Sequence, residues 1–374
     1  MPTTAATRTS KLPGRILTGA AAFVAIVAAV FAGNTHAVQA RLKRWTTMSF
    51  DELIGEATAG NRNAVITVAV IEDGEVTTTV YGHDATILPS ERRVYEIGSI
   101  TKTFTTALLS KAIDEGRISL DDSIDEYLDL PPKDYYPTIR RIATHSSGYK
   151  REYLALNMIQ ALFGANPFHG ITKDSLLKRV ATIQLDDKDY PLAYSNFGMA
   201  VLGAVLEEVY GENYTSLMNK FVRTDLGLHD TMISDGSGND RFWKWSADDA
   251  YAPAGALVST IEDMVEYAKL QLVGEPAYLA DAHRPLAQGA AEEPATNALG
   301  VRIDRVGLGW VIDTEHDIVW HNGGTGNYNS YLGFDAHRRL AVVMLANYGD
   351  GRVSATIMGA KLLQSLQGKA PVSP

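Results

Sequence analysis

The chain has 374 residues, 45% apolar and 21% charged, the composition of a globular protein with material for one large domain or two smaller ones. A net charge of −10 argues against a nucleic-acid binder, which would carry a basic face. With no cysteine and no HExxH, paired-His or EF-hand pattern, disulfides and thiolate metal sites are excluded, and neither a metal nor another cofactor is expected.

Arg8, Lys11 and Arg15 precede the uncharged run ILTGAAAFVAIVAAVFAG at 16–33, and small residues follow. Val38-Gln39-Ala40 or Thr35-His36-Ala37 would suit a signal peptidase, so residues 1–40 have the order of a secretory signal. The run also reaches the lower length of a membrane span. Arg41, Lys43 and Arg44 are awkward for simple export, because basic residues tend to stay on the cytoplasmic side. Export with cleavage is favoured over an uncleaved anchor at 16–33. Both place the domain outside the cytoplasm, in the cell envelope, periplasm or medium, with membrane contact only through this segment.

A short amphipathic segment at 48–58 leads to AVITVAVI (64–71), which reads as a buried strand. Asp73-Gly74 is a hairpin signal, and EVTTTVY (75–81) alternates like a half-exposed partner strand. A helix is predicted from Ser99 to a glycine cap at Gly116. From about 120 to 275 the signals are mainly helical, broken by Pro131-Pro132 and by the loop SDGSGND (234–240). Ser259-Thr260-Ile261-Glu262 reads as a capping box for a helix through about 272. Residues 281–300 read as a surface loop. Strands return at VGLGWVI (306–312), HDIVW (316–320), NSYLGF (329–334) and LAVVMLA (340–346), before a last helix over about 353–367. This order predicts an α/β protein of the α+β sandwich type. An antiparallel sheet is built from N- and C-terminal strands and flanked by helices, with a mainly helical lobe beside it. The cleft between sheet and lobe is the natural site.

Ser99 and Lys102 are three apart and share a helix face, which continues as Thr106, Leu109 and Ile113 and so turns inward. A lysine pointing that way loses solvation, which favours its neutral form and suits it to activate a hydroxyl. The helix N-terminus adds free N–H groups for a developing oxyanion. Ser175 and Lys178 have the same spacing but read as a plain helix with a solvated lysine. Tyr194-Ser195-Asn196 precedes the apolar helix FGMAVLGAVLEEV, where Asn196 is either an N-cap or a site residue. In WHNGGTGNYNS (320–330), His321 leads into Gly323 and Gly324 between two strands, and glycines there would let a substrate backbone approach.

Taken in this order, the three motifs resemble the serine β-lactamase and penicillin-binding superfamily, in the branch of class C β-lactamases, DD-peptidases and family VIII esterases. GLGW (307–310), ATHSSGY (143–149) and PAGALVSTIEDM (253–264) fit the same branch, and the resemblance covers about residues 50–365. It implies a β-lactamase/transpeptidase-like fold over 48–368, with the helical lobe inserted at about 120–275. It makes Ser99 the acylated nucleophile, Lys102 its proton-handling partner, and Tyr194 a phenolic acid/base whose ionised form the neighbouring ammonium stabilises. Asn196, His321, Asn322 and Gly323 would meet the substrate, and the N–H groups of Ser99 and Gly324 would form the oxyanion hole. His321 stands where class C β-lactamases have lysine, although H-x-G also occurs in the branch, and Asn322 replaces a Thr or Ser; the loss of a fixed charge should weaken recognition of a substrate carboxylate. An imidazole supplies charge only when protonated.

The implied protein is an exported serine hydrolase, D-alanyl-D-alanine carboxypeptidase-like and penicillin-binding. A related esterase or amidase comes second and a true β-lactamase third; a non-catalytic peptidoglycan sensor of the same fold is the alternative from another class. Its partners would be a small peptide, β-lactam or ester, with peptidoglycan as a larger target. His145, His169, His229 and His337 show no metal spacing and read as structural, with His145 ordering a turn near the cleft. Trp243 and Trp245 either line a substrate entrance or pack the lobe, and Trp320 reads as sheet packing.

Overall fold

The computed structural model describes residues 36–290, 294–349 and 352–368. The apolar run 16–33 lies outside them. Helix His36–Thr47 runs through both candidate cleavage positions and buries Leu42 and Trp45 against the body of the protein.

In chain order the strands are β1 (Ile66–Glu72), β2 (Glu75–Tyr81), β3 (Ile87–Leu88), β4 (Val94–Glu96), β5 (Met232–Ile233), β6 (Leu257–Thr260), β7 (Ala287–Gln288), β8 (Arg305–Val306), β9 (Val311–Asp313), β10 (Ile318–Gly324), β11 (Asn329–Asp335) and β12 (Leu340–Ala346). Nine form one antiparallel sheet in the order β3-β2-β1-β12-β11-β10-β9-β8-β7. The hairpin β1–β2 turns through Asp73 and Gly74, both at positive φ, as a two-residue loop requires. β12 pairs with β1 in the register Val70↔Val342, so the two ends of the chain close one sheet.

Strand parity sorts the side chains. Ile66, Val68, Val342 and Met344 face helices Phe50–Thr58 and Ala355–Gln367, while Ala69, Ile71, Val343 and Leu345 face helices Thr101–Asp114 and Ile261–Val273. The second face continues into the lobe, where helix Asn196–Tyr210 is buried along most of its length.

Four expectations need correction. The predicted strand 306–312 is two strands, because Gly309 sits at φ +68° and turns the chain between them. Residues 281–300 are not a plain loop, since they contain β7 and helix Pro294–Asn297. The helix after β6 is capped by Thr260, whose hydroxyl accepts from the Asp263 N–H, while Ser259 belongs to β6 and pairs with the Thr231 hydroxyl. The lobe also carries a small second sheet, β4-β6-β5, whose strands are too short and too separated to leave a period-2 pattern.

Candidate active site

The nucleophile candidate sits on a tight turn at the junction of sheet and lobe. One 3-10 turn, Gly98–Ile100, feeds helix Thr101–Asp114 and places Ser99 half-exposed at its mouth. Gly98 has φ +49°, and a Cβ there would lie 2.5 Å from the Gly324 nitrogen. A Cβ on Gly323 would lie 1.9 Å from the Ile97 carbonyl oxygen. The glycines of β10 thus admit the protein's own nucleophile turn, where the sequence suggested a substrate backbone. Ser330 Oγ donates to the same Ile97 carbonyl at 2.8 Å and fastens the turn to β11. Ser99 and Gly324 end up on one cavity wall, the placement an oxyanion pocket needs.

Lys102 is fully buried, with Nζ 3.0 Å from Ser99 Oγ and donating to the Ala254 carbonyl at 2.6 Å. Burial, and then the Arg151 cation, hold its ammonium well below the usual lysine range; Glu152 acts in the opposite sense. Tyr194 lies beside it, its ring centroid 4.8 Å from Lys102 Nζ. Burial pushes the Tyr194 phenol up, against the opposing effects of its hydrogen bond with Ser99 and of Arg151. Burial therefore favours the uncharged form of both groups, acting against the ionised lysine–tyrosine pairing that the resemblance implied. A neutral amine at 3.0 Å can take the Ser99 proton.

His321 faces this cluster, with its ring 6.4 Å from that of Tyr194. Its Nδ1 lies 2.6 Å from the Asn322 carbonyl oxygen, which assigns the proton to Nδ1. Burial pushes its pKa down to about 3, so near neutral pH it brings no positive charge to the cleft. Asn322 is corrected by parity, since neighbours on a strand point to opposite faces. Its Nδ2 donates to Thr356 Oγ1 at 2.8 Å, toward the C-terminal helix and away from Ser99. Trp320, on that same face, stacks on Tyr331 and donates to the Arg302 carbonyl.

Ser195, not Asn196, caps the helix behind Tyr194: its Oγ accepts from the Gly198 N–H at 2.8 Å and donates to the Lys150 carbonyl. That frees Asn196 to line the cavity, where its Nδ2 donates to Glu152 Oε1 at 2.7 Å. His145 orders the backbone beside the cleft as expected, and it also lies next to the chemistry. Its ring is 4.8 Å from that of Tyr194, its Nδ1 accepts from the Ser195 N–H, and burial holds it well below the usual histidine range. Trp243 and Trp245 fill both expected roles, packing with Phe168 while lining the cavity beside Ser99. Ser175 lies exposed on a surface helix, with Lys178 paired to Asp174.

Sequence reasoning missed Arg151 and Glu152, which follow ATHSSGYK directly. Glu152 is largely buried, accepts a hydrogen bond from Asn196, and has its carboxyl pushed up to about 7 by burial. Position next to that signature was the available signal. A second buried carboxylate, Glu96, accepts from the Trp243 N–H and from Thr325 Oγ1, joining the aromatic lobe wall to the end of β10.

A family model described as Beta-lactamase matches residues 50–366. Among curated relatives, "Protein flp" of Staphylococcus aureus (strain COL) is 22% identical over 316 residues, covering 75% of this chain and 59% of that protein. The chain thus spans about three-fifths of the length of such relatives. Among solved structures, a beta-lactamase/D-alanine carboxypeptidase from Yersinia pestis complexed with citrate superposes with TM-score 0.66 at 18% identity, over 89% of this chain and 99% of that one. A class C beta-lactamase from Rhodobacter sphaeroides gives 0.64 at 19%, over 87% and 100%. The octameric penicillin-binding protein homologue from Pyrococcus abyssi gives 0.61 at 19%, over 89% and 78%. These likenesses establish a shared β-lactamase/transpeptidase-like fold.

Proposed function

The chain belongs to the beta-lactamase family, and from that premise we propose that it is a serine acyl hydrolase working through an acyl-enzyme on Ser99. One observation carries the reading: a fully buried lysine amine lies 3.0 Å from the hydroxyl of a half-exposed serine. Lys102 accepts the Ser99 proton as Oγ attacks a carbonyl carbon. The N–H groups of Ser99 and Gly324 receive the oxyanion, in surroundings where such donors act far more strongly than in water. Tyr194, protonated at rest and within hydrogen-bonding reach of Ser99, hands a proton to the leaving group and is reprotonated through Lys102. Water then attacks the ester along the reverse proton path.

Two substrate readings remain within this chemistry. A D-alanyl-D-alanine carboxypeptidase-like peptidase fits the family and the N-terminal signature for export. An esterase or amidase reading is favoured by the neutral His321 and the averted Asn322, which leave the β10 edge without a fixed cation for a leaving-group carboxylate. We rank the ester or amide donor first and a true β-lactamase last. The test is a comparison of kcat/KM for p-nitrophenyl butyrate, a diacylated Lys-D-Ala-D-Ala tripeptide and nitrocefin, with Ser99→Ala as blank. Ester turnover above peptide turnover is expected. Fast nitrocefin hydrolysis would reverse the ranking, and turnover surviving Ser99→Ala would remove the mechanism.

A further inference from the structure

The cavity beside Ser99 carries one cation that the three motifs do not account for. Its lining includes Ser99, Asn196, Trp243, Trp245 and Gly324, and among the described lining residues Arg151 is the one charged side chain. The guanidinium lies over the Tyr194 ring at 5.7 Å, and its Nε is 3.7 Å from Glu152 Oε1. Those contacts use the face and one edge of the fork. Nη1 is buried with no hydrogen-bond partner. A buried donor on a charged group left without an acceptor is costly, so a structural role alone explains it poorly. Glu152 does not meet the need: its Oε1 is held by Asn196 at 2.7 Å, its Oε2 is itself buried without a partner and so does not reach Nη1, and burial raises its carboxyl to about 7. Across the cleft His321 is uncharged.

The cavity holds about 30 Å³ of water-accessible space, room for a group the size of a carboxylate and little more. Tyr194 and His321 are absent from its lining. Since Tyr194 serves the leaving group, this cavity belongs to the part of the substrate that stays on Ser99. We propose that Arg151 is a specificity-determining residue which binds a carboxylate on the acyl part of the substrate, so that the site takes short anionic acyl donors of the succinyl or glutaryl kind. A planar guanidinium fork with a free N–H matches a carboxylate geometrically as well as electrically. The inference rests on Ser99 as nucleophile for its direction, but its binding half can be read without turnover.

Glutaryl p-nitroanilide and pentanoyl p-nitroanilide have acyl chains of equal length and differ by one carboxylate. Each is titrated calorimetrically into the full chain carrying Ser99→Ala, into that protein with Arg151→Met, and into that protein with Arg151→Lys. The glutaryl compound should bind roughly 10- to 100-fold tighter, the range of a charge-assisted hydrogen bond. The preference should vanish with Arg151→Met and persist in reduced form with Arg151→Lys, which keeps the charge. The ratio between the two compounds separates recognition from any general effect of Arg151 on the fold or on Lys102. Equal binding to the parent protein overturns the proposal. So does a preference that survives Arg151→Met in a protein with parental circular dichroism, or, if that variant does not fold, one left at full strength in Arg151→Lys. An Arg151-dependent preference alongside no wild-type turnover of any ester or anilide would leave the subsite standing and sink the hydrolase reading instead.

Discussion

Replacing Glu96 by glutamine should change stability in a strongly pH-dependent way. Glu96 is 3% exposed and joins two walls of the cleft, accepting from the Trp243 N–H and from Thr325 Oγ1. Burial raises its carboxyl from 4.5 to about 7, and the two hydrogen bonds and Arg241 only partly offset this. A raised carboxyl binds its proton more tightly in the folded state than in the unfolded chain. Its contribution is therefore fully present below pH 4.5 and is lost as pH rises through about 7. At roughly 1.4 kcal/mol per pH unit, the loss amounts to about 3 kcal/mol. Glutamine imitates the protonated acid, since it still accepts from Trp243 and can donate to the Thr325 hydroxyl. Urea unfolding of both proteins at about pH 5, 7 and 8.5 measures the difference by linear extrapolation. The Glu96→Gln protein should gain about 2.5 kcal/mol relative to the parent between the lowest and highest pH, part of the loss having already occurred at pH 5. A difference flat across that range would refute the reasoning, because Glu96 would then titrate alike in both states.

Gly98→Ala combines a left-handed backbone with a contact to the Gly324 nitrogen at 2.5 Å, so it should lower stability by about 2 kcal/mol or more and abolish Ser99 labelling. Thermal unfolding and active-site titration check both effects. Asn322→Ala should cost about 1 kcal/mol through the lost bond to Thr356 while the KM for a neutral ester stays within a few-fold; a large rise in KM would return Asn322 to the cleft. Arg151 lowers and Glu152 raises the Lys102 pKa. The acid limb of kcat/KM should accordingly move to higher pH in Arg151→Met and to lower pH in Glu152→Gln. Shifts of the same sign would contradict this assignment of the limb to Lys102.

Much of this arrangement was legible in the residues because it depends on local spacing. Ser99 and Lys102 share a helix face at any N-terminus, and the β1 and β12 segments announce themselves as apolar runs of strand length. His321 lies on β10 just past its pairing with β9, and its charge was not readable, since burial to 2% exposure depends on elements far apart in sequence. Strand parity alone separates Asn322 from His321 and turns it to the opposite face of β10. Arg151 and Glu152 reach the site through an irregular stretch with no period to project, and only the packing of Asn196 and Tyr194 against it reveals them. The small sheet β4-β6-β5 joins three segments from residue 94 to residue 260 and holds nothing a window of sequence could detect.

The central claim is that Ser99 is acylated with Lys102 as its proton acceptor. Treating the protein with a fluorophosphonate and with a fluorescent penicillin, then mapping the adduct by peptide mass spectrometry, tests it directly. A single adduct on Ser99 is expected from at least one probe, formed at least about 100-fold more slowly when Lys102 is replaced by methionine. An adduct on Ser175, or Ser99 labelling at an unchanged rate in the Lys102→Met protein, would contradict it.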